Sequence, residues 1–68
     1  MKFIQFYADK EATTYVYSAD EISSIHRISG ENIIYIQFKS GFVNTYEFAN
    51  DKAAFYALEN ILKQLGVK

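Results

Sequence analysis

The stretch Asp51-Lys52-Ala53-Ala54-Phe55-Tyr56-Ala57-Leu58-Glu59-Asn60-Ile61-Leu62-Lys63-Gln64-Leu65 decides how the rest of the chain is read. Ala54, Leu58, Ile61, Leu62 and Leu65 recur at i, i+4, i+7, i+8 and i+11, which gathers them into one apolar stripe at the period of an α-helix. Lys52, Glu59 and Lys63 fall on the far side, with Glu59 and Lys63 at the i, i+4 spacing of a helical ion pair. Asn50 or Asp51 supplies the N-cap, and Asp51 also places a carboxylate at the positive end of the helix dipole. Gly66 ends the helix, because glycine takes the left-handed conformation a helix terminus needs. Tyr56 lies roughly opposite Leu58 and Ile61 on the wheel and is expected to be exposed.

Everything before this helix reads as β-structure, with strands expected over about 2–8, 13–18, 23–28, 33–39 and 42–48. The run Ile33 to Lys39 is the strongest strand signal, with Ile34, Ile36 and Phe38 on one face. Ser40-Gly41 closes it into a hairpin with the fifth strand, and Gly41 takes the positive φ of the turn. Ser18 and Glu21 have the spacing of a capping box, so a single helical turn is expected between the second and third strands. Ile22, Ile25 and Ile28, three apart, suit a turn that passes into a bent third strand. The resulting fold class is α+β: one two-layer domain over residues 1–68, an antiparallel sheet of about five strands with the helix (about 51–65) on one face.

A chain of 68 residues closes one core and is too short for two. At this size only about 60% of the unfolded surface is buried, and small domains are commonly reinforced by disulfides, metals or partner subunits. Cys is absent and His26 is the only histidine, which leaves self-association as the available reinforcement. The lack of Cys agrees with a reducing compartment, and cytoplasmic is the default location. The amino-terminal segment breaks its apolar run at Gln5 and Asp9 and so lacks the pattern of a signal peptide, and no stretch is long enough to cross a bilayer.

Chemistry finds little to build on. Nucleophilic catalysis needs a base held beside an activated hydroxyl or thiol, and His26 between Ile25 and Arg27 reads as an ordinary strand residue. Asp20-Glu21 is the only adjacent carboxylate pair, better suited to the amino end of a helical turn than to acid–base work. Gly30, Gly41 and Gly66 stand apart and form no phosphate loop. No cofactor or metal is expected, and the chain is not read as an enzyme. The segment Lys39 to Tyr46 shares the basic, glycine, aromatic order of base-stacking strands in RNA-recognition domains. A net charge of -1 and a single long helix argue against that function, and single-stranded nucleic-acid binding stands as the alternative reading.

The informative excess is aromatic: six Tyr and six Phe, more than one helix can cover. Ile4, Phe6, Val16, Ile25, Ile34, Ile36, Phe38, Tyr46 and Phe48 are assigned to the helix-covered face. Phe3, Tyr7, Tyr15, Tyr17, Ile33, Tyr35 and Val43 then share the open face with Gln5, Gln37, Thr45 and Glu47. Those seven residues form the candidate interface. The expected function is a non-catalytic binding or assembly module whose partner is a second copy or another protein.

Overall fold

The structure is a computed structural model that describes residues 2–66. Among the described residues five antiparallel strands precede one α-helix: β1 (Phe3–Ala8), β2 (Thr13–Ser18), β3 (Ile22–Arg27), β4 (Ile33–Phe38), β5 (Val43–Glu47) and α1 (Asp51–Leu65). The α+β class and the C-terminal helix agree with the sequence reading. The strands do not form one sheet. They divide into a ribbon, β1–β2, and a three-stranded sheet in the order β3–β4–β5.

The division occurs at a single 3-10 turn, Ala19–Glu21. The Ala19 amide still donates to the Lys2 carbonyl on the ribbon side, whereas the Glu21 carbonyl accepts from the Lys39 amide on the sheet side. Three residues therefore carry the chain from one ladder to another, and β2 and β3 never pair. The turn itself was expected, but the capping box was not found: Ser18 makes no side-chain cap hydrogen bond. The bend expected in β3 is a register shift between Ile22 and Ser24.

Helix α1 is bounded as its sequence indicates. Asn50 is the N-cap, its side-chain oxygen accepting from the Ala53 amide at 2.8 Å. Gly66 closes the other end at φ 84°. Ala54 and Ile61 are buried from the apolar stripe, with Leu58 and Leu65 packed beside them. Glu59 and Lys63 do not form the anticipated ion pair; the ion pairs among the described residues are Lys10–Glu47 and Arg27–Asp51.

The core combines Ile4, Phe6 and Ala8 of β1, Ile34 and Ile36 of β4, Tyr46 of β5, Phe48, and Ala54 and Ile61 of α1. In β2 the faces are inverted relative to the sequence reading. Register pairs Ile4 with Tyr17, Phe6 with Tyr15 and Ala8 with Thr13, and residues directly opposite in an antiparallel pair share a face. Tyr15 and Tyr17 therefore pack against the core, and Val16, expected inside, is 57% exposed.

Candidate functional site

The inward turn of Tyr15 and Tyr17 builds an aromatic layer between the ribbon and the sheet. Tyr15 stacks on Phe6 at 5.5 Å and meets Tyr46 edge-on at 4.7 Å, while Tyr17 lies 5.0 Å from Phe38. The Tyr17 and Tyr46 hydroxyls are 2.5 Å apart, which satisfies a polar atom inside the layer. Burial, followed by this hydrogen bond, raises the Tyr46 phenol well above its ordinary value. These rings hold the two sheets together, and their packing rather than solvent contact accounts for their burial.

The strand edges are closed by side chains. On β1, the Gln64 carboxamide accepts from the Gln5 amide and donates to the Gln5 carbonyl, both at 2.8 Å, so a helix side chain stands in for a neighbouring strand. At the end of β5 Glu11 Oε2 accepts from the Glu47 amide at 2.8 Å, and just beyond the strand Asp9 Oδ1 accepts from the Ala49 amide at 2.9 Å. Both carboxylates come from the four-residue turn between β1 and β2, where Ala12 holds a φ of 52°. Tyr15 also donates to Glu11, and this bond, followed by that from the Glu47 amide, holds the Glu11 carboxyl below its ordinary value. The same hydrogen bond raises the Tyr15 phenol.

The remaining candidate residues separate onto two surfaces. Phe3 and Tyr7 lie on the outer face of the ribbon, each 56% exposed, and Val16 joins them there. The register places Val16 opposite Gln5, diagonally between Phe3 and Tyr7. All six outward side chains of the ribbon, Phe3, Gln5, Tyr7, Thr14, Val16 and Ser18, are uncharged. In contrast, Ile33, Tyr35 and Val43 occupy the outer face of the three-stranded sheet among Ser24, His26, Gln37, Thr45 and Glu47. Ile33 and Tyr35 are half-buried and Val43 is exposed. Tyr35 stacks flat on His26 at 4.8 Å and donates to Glu31 at 3.1 Å, which raises its phenol. No carboxylate lies within ion-pair distance of His26 among the described residues.

Arg27 sits on the inner side of β3, opposite Ile34, and is committed to the helix start: it pairs with Asp51 and its guanidinium lies 5.4 Å from the centre of the Phe55 ring. Its Nε is buried without a hydrogen-bond partner among the described residues. Tyr56 is 61% exposed, as its helical position implies. A groove of about 410 Å³, missed by the sequence reading, opens where the sheets part, lined by Tyr17, Ser18, Glu21, Phe38, Ser40, Phe42 and Asn44. The sequence places Phe42 on the inner face with Tyr46 and Phe48 by alternation, and the structure leaves it solvent-exposed at the groove.

No family model matches the chain, and no curated protein or solved structure matches it. Among the described residues no group of three or more His, Cys, Asp or Glu is arranged to hold a metal ion. No helix among them is long and apolar enough to cross a membrane.

Proposed function

We propose that the chain is a non-catalytic assembly module that associates with a second copy of itself through the outer face of the β1–β2 ribbon. The observation that carries this reading is the uncharged surface of Phe3, Gln5, Tyr7, Thr14, Val16 and Ser18, with its three apolar side chains more than half exposed. A two-stranded ribbon is marginal by itself, and water-facing strands ordinarily carry charges that deter pairing. This face carries none in a chain whose charged residues make 22% of the total, so a copy related by two-fold symmetry meets it without like-charge repulsion. The lack of Cys fits a reducing cytoplasmic setting.

The interface anticipated from the sequence is thereby narrowed. Phe3 and Tyr7 remain, Val16 is added, and Tyr15 and Tyr17 support the ribbon from beneath. Base stacking on the same aromatics has less support. Tyr46 of the glycine-aromatic segment is 2% exposed, and Arg27 is engaged with Asp51 and Phe55. Half of the accessible area of two aromatics and a valine amounts to roughly 250 Å² per copy, well below the roughly 800 Å² of a standard interface. The dimer is accordingly expected to be weak and reversible. Amide NMR spectra collected from about 10 µM to about 1 mM test it, a range spanning weak association. Concentration-dependent shifts at residues 3–7 and 14–18 support this face, and their confinement to any other surface overturns it.

A further inference from the structure

We infer that the turn of residues 9–12 is a latch on the end of β5, closed by the Glu11 carboxylate and released when that group is protonated, while the core stays folded. All four of its residues are exposed. Two bonds of its own hold it as a unit, from the Glu11 amide to the Ala8 carbonyl at 3.1 Å and from the Ala12 amide to the Asp9 carbonyl at 3.3 Å. Its ties to the end of β5 are polar: Glu11 takes the Glu47 amide, Asp9 takes the Ala49 amide, and Lys10 Nζ lies 3.1 Å from Glu47 Oε2. The buried side chains Ile4, Phe6 and Ala8 belong to β1, before the turn begins. The turn can therefore lift as one piece without opening the core.

Glu11 is the group on which the latch depends. One of its carboxylate oxygens accepts from the Glu47 amide on β5 and the other from the Tyr15 hydroxyl on β2, so one charge ties the ribbon to the sheet. Protonation turns an acceptor oxygen into a donor and weakens the bonds that remain. The titratable and charged groups around it are Tyr15 from β2, Glu47 from β5 with Lys10 paired to it, and Asp9 on the same turn. The Tyr15 bond, followed by that from the Glu47 amide, holds the Glu11 carboxyl below its ordinary value. The latch is thus closed above the ordinary carboxylate range and opens as pH falls through the folded value. Release changes what β5 presents. The Phe38 amide donates to Phe42 and the Phe48 amide to Asn32, so alternation turns the peptide groups of Val43, Thr45 and Glu47 away from β4. Opening adds the Glu47 and Ala49 amides to an edge that no strand covers, and one side-chain charge sets how much of that edge is exposed. The latch does not rest on dimerisation through the ribbon face.

The test is amide hydrogen exchange of the whole chain by NMR between about pH 7 and pH 3, corrected for intrinsic rates. Protection of the Glu47 amide should fall by about 10- to 100-fold on acidification, the worth of one hydrogen bond to a charged group. The Ala49 amide should follow at the same midpoint, while Ile34 and Ile36 in the core keep their protection. Glu11→Gln should make the Glu47 amide insensitive to pH. Tyr15→Phe removes the bond that most favours the carboxylate and should move the midpoint to higher pH. Glu47→Gln should leave the response intact; its disappearance there would assign the response to the Glu47 carboxyl and overturn the inference. Loss of protection at Ile34 and Ile36 in step with Glu47, an Ala49 amide that stays protected, a Glu11→Gln variant that titrates like the wild type, or an unmoved midpoint in Tyr15→Phe would each overturn it as well. Circular dichroism at neutral pH verifies that the three variants fold.

Discussion

Replacing Tyr15 by alanine should destabilise the protein far more than replacing its neighbour Val16, although valine is the more apolar residue by type. The Tyr15 ring packs on Phe6, Tyr17 and Tyr46 at centroid distances of 5.5, 6.1 and 4.7 Å, and its hydroxyl donates to Glu11. Truncating a fully buried aromatic costs about 3–5 kcal/mol. Tyr15 is half-buried, so about 2–3 kcal/mol is expected, including the aromatic pairings at roughly 0.5–1.5 kcal/mol each where they are complete. Val16→Ala, on an exposed outer position, should stay within about 0.5 kcal/mol. Urea unfolding followed by far-UV circular dichroism measures both. At this chain length the Tyr15 variant should melt about 10–20 °C lower. A larger loss from Val16→Ala than from Tyr15→Ala would refute the inward turn of the two tyrosines and, with it, the aromatic layer.

Three further outcomes follow from the edges and the turn. Gln64→Ala removes both hydrogen bonds to the Gln5 backbone at an exposed site and should cost about 1–2 kcal/mol, with faster amide exchange at Gln5. Ala12→Gly relieves the positive φ and should stabilise the fold by up to about 1 kcal/mol in the same urea assay; destabilisation would contradict the turn geometry. Glu11 is held below its ordinary value by Tyr15 and the Glu47 amide, so its contribution is present above the unfolded carboxyl value and lost as pH falls through the folded one. Glu11→Gln should therefore lessen the loss of stability on acidification, and an unchanged pH profile would exclude the carboxylate's part in closing β5.

The helix was legible because periodicity, cap and terminal glycine agree over fifteen residues, and Asn50, Ala54, Ile61 and Gly66 do what their positions imply. The third, fourth and fifth strands were legible for a similar reason: Gly41 fixes the hairpin, and Ile34, Ile36, Tyr46 and Phe48 keep their face. Assigning β2 by side-chain type placed Val16 inside, whereas the four residues 9–12 between the strands pair Ala8 with Thr13 and so set the parity of the whole ribbon. Hairpin length outweighs composition there. The split into two sheets was hidden because a 3-10 turn of three residues leaves the strand pattern intact while redirecting the ladder at Ala19 and Glu21. The carboxylate caps from Asp9 and Glu11 join residues 36 to 40 positions apart, beyond any local pattern.

The outer face of the ribbon is tested most directly by sedimentation equilibrium of the wild type, Val16→Lys and Tyr35→Lys at matched concentrations. Val16→Lys introduces a charge into the uncharged face, and Tyr35→Lys introduces one on the three-stranded sheet. The account predicts reversible dimerisation of the wild type and of Tyr35→Lys, and a folded monomer for Val16→Lys. A wild type that stays monomeric to about 1 mM, or a Val16→Lys variant that dimerises as strongly as the wild type, would contradict it.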